Sequence, residues 1–587
     1  MPFFILAALF AVPAGGQEEI PAVDVVDLVM YDDPRFEYPE SRYEIPQDPI
    51  RVWTKALDRT EDSELLRATI DSIVIADQLT MEGLDVFIPR LVELLETEDL
   101  EHSVRRSAAA ALIRLNARDQ AKILAEQATQ FGESLSELVE PALAVWKHDP
   151  MEAVWLQRLD RAEAGRRALI RAMRGLGELQ STKSVASLVG FVENSSAAQG
   201  VRLAAARALG HVRSPEQLAL ADRLIAVAKA DVLSGIMAVA VLDQRDDAET
   251  IATLKLLVAS ESSTVQAEAL RALYEIDPLL PIEFVDAVIE SPDVNVRWPV
   301  ARSMVRSHDD KWIESLAMLL NDVNPSLRSE VAASLVYLAN EHDLRDEVIA
   351  ESSRVLAKEE WRGCEQAGIV LVNLEEKSIS DRLVQLMEHP RGEVQVTAGW
   401  GLRRFALEQH LPAMLRRAEA IYAGFRSKEL TVTTPGAEGL ITQLFMAFGK
   451  MRFQEADGLI RKYLPKDFSL GDNSRTAAAW AIGFLHEGKA TPDVTQTLVG
   501  RLNDVVSLFP EIGSVRGMAA ISLARMNSES AIPDLRKFMI GDGAMADQAC
   551  GWAVEQMTGD PKPPVRKGPL SKYNKWFLAP LKPAEEQ

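Results

Sequence analysis

Val201-Arg-Leu-Ala-Ala-Ala-Arg-Ala-Leu209 is the stretch on which the fold turns. It reads as an aliphatic residue, an arginine, two spacers, and then small-small-x-small-aliphatic. Its apolar and small positions recur at helical spacing, so one face of a helix is being written. The small side chains let a neighbouring helix come in toward the low end of the usual ~8–10 Å separation. The phrase returns as Val104-Arg-Arg-Ser-Ala-Ala-Ala-Ala-Leu112 and as Val265-Gln-Ala-Glu-Ala-Leu-Arg-Ala-Leu273. It starts again at Val296-Arg297, Leu327-Arg328, Val394-Gln395, Ser474-Arg475 and Val515-Arg516, with weaker copies near Gly165, Val232, Trp361 and Ala546. The steps from 265 to 296 and from 296 to 327 are each 31 residues, and the step from 201 to 265 is twice 32. Each copy is followed by a polar turn and a second amphipathic segment, as in His308-Asp309-Asp310 before Lys311–Leu320. A fixed period of this length marks one supersecondary unit stacked on its neighbours. The expected fold is all-α, a solenoid: a superhelix of about fifteen stacked helical hairpins.

The repeated V-R-x-x-A-A-x-A-L phrase, with Asp or Asn in the turn before it, resembles the short HEAT repeats of the type also seen in phycobilin lyases. The resemblance runs over roughly residues 60–560. It implies an armadillo-like helical scaffold in which the second helix of each hairpin lines the concave side. It also implies that Asp293 with Arg297, and Asp322 with Arg328, tie turn to helix as structural ladders. About function it implies little beyond interaction, since such scaffolds serve many partners.

Three regions leave the period. Residues 1–16 carry a ten-residue apolar run, Phe3 to Val12, followed by Ala14-Gly15-Gly16. This is the pattern of a secretory signal peptide, too short to span a bilayer, and it predicts export to a periplasmic or extracellular space with Gln17 or a near neighbour as the first mature residue. Residues 17–60 form an acidic lead-in, expected to be irregular, with Asp32-Asp33-Pro34 and Tyr38-Pro39-Glu40. HEAT-like repeats are expected over 61–405 and 440–560, and a repeat with an insert over 406–439, ending in Thr431-Val-Thr-Thr-Pro-Gly436. Residues 561–587 are a Pro-rich basic tail.

Composition narrows the function. The 587 residues carry a net charge of -23, which repels nucleic acid, because binding there depends on neutralising phosphates. Two cysteines, Cys364 and Cys550, are too few for a thiolate zinc site or a disulfide framework. There is no H-E-x-x-H motif, no G-x-S-x-G elbow and no P-loop; Gly488-Lys489 is followed by Ala490 and lacks the required hydroxyl. Deoxyhypusine hydroxylases resemble this architecture and hold two irons with four His-Glu pairs, whereas His486-Glu487 is the single such pair here. No catalytic residue, cofactor or metal is expected, and no integral membrane segment after signal cleavage.

The x between the small residues of the phrase is read as the least buried position of the set. Along the chain it is Arg171, Arg207, Arg271 and Arg302, and then Trp400, Trp480 and Trp552. Arginine and tryptophan are the side chains that most often anchor interfaces. These seven are the candidate partner-binding residues of a non-enzymatic exported scaffold holding a protein or peptide. A carbohydrate or small ligand stacked on the tryptophan row is the alternative, and a lyase-like activity ranks below both. Packing of each indole against its neighbour helix is the competing reading of the row.

Overall fold

The computed structural model describes residues 20, 23–37, 48–161, 163–229, 231–506 and 508–564. The expected signal peptide and the tail beyond residue 564 lie outside the described residues. Among the described residues there are thirty α-helices, which pair into fifteen hairpins, and no β-strand beyond an isolated bridge between Asp32 and Arg35. The all-α hairpin stack and its repeat number are those the phrase predicts.

The described chain falls into two compact units, residues 48–303 and residues 23–37 with 304–564. In the first, the phrase helices His102–Arg114, Glu133–Val145, Arg166–Glu178, Gln199–Val212, Val232–Val241 and Ser263–Ile276 each pack on the next. In the second, the phrase helix Pro325–Glu341 is followed by six more that stack in the same way: α1 (Trp361–Asn373), α2 (Gly392–Phe405), α3 (Ala437–Lys450), α4 (Asp472–Leu485), α5 (Gly513–Arg525) and α6 (Met545–Thr558). Close approach depends on the small residues. At Gly483 in α4 an added Cβ would lie 2.8 Å from the Ser522 Cα of α5, closer than carbon atoms tolerate. Ser522 Oγ uses that room to donate to the Ala479 carbonyl oxygen at 2.5 Å.

The arginine of the phrase has a main-chain job. A helix leaves its last carbonyl groups without intrahelical partners. The phrase arginine reaches back to those at the end of the preceding first helix. Arg202 Nε donates to the Val192 oxygen at 3.1 Å, Arg516 Nε to Leu502 at 3.0 Å, and Arg328 Nη1 to Asp322 at 2.8 Å. Gln395 fills the same slot, with Nε2 donating to the His389 oxygen at 2.6 Å. The tie expected between Asp322 and Arg328 therefore runs through the Asp322 main-chain oxygen.

Phrase helices end in a common turn that composition hides. Asn116, Lys147, Gln180, Glu375, Arg452 and Asn527 all have φ between 51° and 57°. The following N–H closes onto the carbonyl five residues back, as from Ala117 to Leu112 and from Ser528 to Leu523, each at 2.9 Å. This is a Schellman stop, usually made by glycine. The sequence conceals it because no glycine stands at these six positions.

Two departures from expectation lie at the edges. Pro49–Leu57 is a helix inside the lead-in expected to be irregular, with Asp48 Oδ1 accepting from Arg51 N at 3.2 Å. Asp-Pro is an N-cap followed by a first-turn proline, a signal overlooked in the acidic run. The insert at 406–439 is largely a lengthened first helix, Leu411–Ser427, of 17 residues.

Cys364 sits on α1 and Cys550 on α6; both are buried and unpaired. Five helix steps of ~8–10 Å separate them, against the ~7 Å limit for Cα atoms joined by a disulfide. Burial pushes the Cys550 thiol up to about 12, so the reactive thiolate is scarce at neutral pH. In the native chain at pH 8, Cys550 is expected to resist iodoacetamide, and to react once guanidinium unfolds the protein. Peptide mass spectrometry checks this; rapid native alkylation, or a Cys364–Cys550 cross-linked peptide, would contradict it.

Candidate partner-binding face

The arginine row does not act as one surface. Arg171 is only 10% exposed and is tied to the preceding repeat, with Nη2 2.6 Å from Glu133 Oε1 and Nε 3.4 Å from Glu140 Oε2. Glu140 is itself buried and also takes Arg158 at 2.7 Å, so Arg171 belongs to an inter-repeat ion cluster. Arg271 is exposed but is clamped by Glu268 and Glu275 of its own helix at 2.9 and 2.6 Å. Arg207 is exposed, and Arg302 is exposed beside the Trp298 ring at 5.4 Å.

The tryptophan row overturns the expectation that its slot is the least buried. Trp400 and Trp480 are fully buried, and Trp552 is half-buried. The stack supplies part of the cover: the Trp480 ring lies edge-on to Phe484 one turn along its own helix, with centroids 4.7 Å apart, and approaches Gly449 of α3. The rest comes from residues 24–33 of the lead-in, laid across α1 to α5. Trp400 Nε1 donates to Asp27 Oδ1 at 2.9 Å, and Trp480 Nε1 to the Asp33 carbonyl oxygen at 2.9 Å. The slot does face outward from the helices; the chain fills it with its own N-terminal segment.

The remaining contacts follow chain order. On α1, Asn373 brackets the Asp24 main chain, accepting from its N–H at 3.0 Å and donating to its oxygen at 2.8 Å. On α2, Arg404 Nη1 is 2.5 Å from Asp24 Oδ2, and Arg403 pairs with Asp27. From α3, Gln443 Nε2 donates to the Asp27 oxygen at 2.8 Å, and Lys450 Nζ meets Asp33 Oδ2 at 2.6 Å. From α5, Arg525 Nη2 donates to both the carbonyl oxygen and Oδ1 of Asp33 at 2.8 Å. Met30 is fully buried and Phe36 nearly so, giving the segment apolar anchors. Within the segment, Val29–Tyr31 form a single 3-10 turn. Burial lowers the pKa of both Arg403 and Arg525, and their facing carboxylates oppose that shift.

None of these cations was singled out from the sequence. Arg403 and Arg404 lie three and four residues after Trp400, hence on its face of the helix. Lys450 and Arg525 close their phrase helices. The missing signal was complementarity between these cations and the acidic lead-in. Among the described residues no group of three or more His, Cys, Asp or Glu side chains is placed to hold a metal ion, and no helix is long and apolar enough to cross a membrane.

The family model of the PBS lyase HEAT-like repeat matches residues 515–540. No curated protein matches the sequence. Among solved structures, the chain is similar to that of a Kap95:Nup1 complex, at 14% identity and a TM-score of 0.47, over 86% of this chain and 72% of that one. It is similar to the karyopherin Kap121p bound to the extreme C-terminus of the protein phosphatase Cdc14p, at 14% identity and a TM-score of 0.47, over 88% and 57% of the two chains. It is also similar to yeast importin-beta (Kap95p), at 13% identity and a TM-score of 0.44, over 87% and 72%. These likenesses concern the path of stacked helices. The recurring phrase, the hairpin stack it builds and the repeat match at 515–540 make this chain a HEAT-repeat protein.

Proposed function

We propose that the chain is an exported, non-enzymatic scaffold that holds a protein or peptide partner on the phrase-helix face of α1 to α5. One observation carries the reading: that face already receives a piece of polypeptide, residues 24–33, through main-chain and carboxylate contacts on all five helices. A carbohydrate stacked on the indoles is disfavoured, because Trp400 and Trp480 lie beneath protein.

Capture from the exported fraction tests this, comparing the mature chain with Arg404→Glu/Lys450→Glu, two partly exposed cations on the face. Proteins retained by the first and lost from the second, with the two chains melting alike, would support the reading. Identical capture by both, or none by either, would end it. Export has its own check: N-terminal sequencing of the native protein is expected to begin at Gln17 or a near neighbour, and recovery of Met1 would refute it.

A further inference from the structure

We infer that the face of α1 to α5 is a docking site for an acidic segment of a partner protein, and that residues 24–33 occupy it in cis as a displaceable stand-in. The inference rests on the scaffold reading and names the chemistry of its partner.

Charge is the first argument. The chain is acidic as a whole, yet Arg403, Arg404, Lys450 and Arg525 converge on one face. The segment they meet, residues 23–37, has five carboxylates and one arginine. The second argument is the kind of contact made. Asn373, Gln443, Trp480 and Arg525 address the main chain of the segment, which any sequence supplies. Recognition of charged side chains falls on carboxylates at positions 24, 27 and 33, beside the buried Met30 and a Tyr31 hydroxyl that donates to Asn473 Oδ1 at 3.5 Å. The face therefore selects a pattern, acid-x-x-acid followed six residues later by an acid.

The third argument is what the stand-in leaves unmet. Arg403 Nε, Arg525 Nη1 and Gln443 Oε1 are buried in this face without a hydrogen-bond partner. Buried polar groups are seldom left so, and a better-fitting segment would have acceptors and a donor to offer them. The fourth is that the stand-in is held partly at the solvent edge. The Asp24 side chain is 68% exposed and that of Asp27 52%, so water replaces their contacts readily on release. Tethering gives the stand-in a high effective concentration. A competitor must match it, or the stand-in must first be loosened.

The probe is a fluorescent peptide of this chain's own sequence from Val23 to Glu37, added to the full chain. It is expected to bind the Asp27→Ala/Asp33→Ala chain more tightly than the unmodified chain by about tenfold or more. Asp24→Arg, at an exposed position away from the indoles, is expected to give the same direction with a smaller gain. A peptide with Asn at 24, 27, 32 and 33 is expected to bind at least about tenfold more weakly, and added salt to weaken the acidic peptide. Adding Arg404→Glu/Lys450→Glu to the loosened chain should abolish binding. Equal peptide binding by loosened and unmodified chains overturns the inference, as does equal binding of the acidic and amide peptides. So does a loosened chain that sediments as a dimer, since the occupant would then be a second copy. If both loosening variants lose helicity and cooperative melting, residues 24–33 are a fixed part of the core and the inference falls. Failure here with successful capture in the previous experiment would mean that the partner on this face is not an acidic segment of this pattern and leave the scaffold reading standing; failure of both removes both.

Discussion

Trp480→Ala is expected to destabilise the folded chain by about 3–5 kcal/mol, and Trp400→Ala to come close to it. Each indole is fully buried, so alanine leaves a cavity that stacked helices cannot close without moving. The Trp480 ring packs edge-on to Phe484 and lies 3.1 Å from where a Cβ on Gly449 would be. Its loss also strands the Asp33 carbonyl contact, and removes the aromatic face near Arg525, whose guanidinium carbon is 5.4 Å from the ring centroid. Trp552→Ala, at a half-buried site, should cost clearly less. Thermal melts of the three single variants decide the matter. Equal small shifts in all three would mean that the segment and the helices do not bury the indoles as described.

The second large effect is expected at a buried ion pair. Arg475 and Glu511 are both fully buried, with Nη1 and Oε1 3.0 Å apart and a second contact between Nη2 and Oε2. Arg475 holds the arginine slot of its phrase, yet it meets a carboxylate delivered from the loop before α5. Ile512 N also donates to Glu511 Oε1, at 3.1 Å, and Arg501 Nη1 lies 3.3 Å from Oε2. Glu511→Ala leaves a buried guanidinium without its partner, and such one-sided losses cost about 3–5 kcal/mol. Replacing both residues, as in Arg475→Met/Glu511→Leu, is expected to recover most of the loss, because two well-packed apolar groups need no partner. Denaturant unfolding of the two single variants and the double variant gives the coupling. A Glu511→Ala chain within about 1 kcal/mol of the parent would contradict the buried pairing.

The fold was legible because one phrase writes one helix face many times over. Val201, Ala205, Ala206, Ala208 and Leu209 are buried and Arg207 is exposed, as their spacing requires. The same rule failed at Trp400 and Trp480. Periodicity reports which side of a helix faces its neighbours in the stack. It is blind to a segment from more than 350 residues away lying on the other side. Such contacts are readable only as complementarity, here between Asp24, Asp27 and Asp33 and the cations at 403, 404, 450 and 525. Arg171 illustrates the opposite trap. Its slot matched that of Arg207, but Glu133 and Glu140 on the preceding helix claim it.

The segment across α1 to α5 also sets a ruler on the chain. Asp24 and Asp33 are nine residues apart, and their partners run from Asn373 on α1 to Arg525 on α5. Repeat stacks lengthen and shorten by duplicating or deleting whole hairpins, since each hairpin needs only its neighbours. Between α1 and α5 that freedom is gone. An extra hairpin would move Arg525 one step of ~8–10 Å beyond the reach of Asp33, and a deleted one would bunch the segment and misplace Trp480. Sequences descended from this one should therefore vary in repeat number outside α1 to α5, and keep a fixed count within it for as long as the acidic segment is kept.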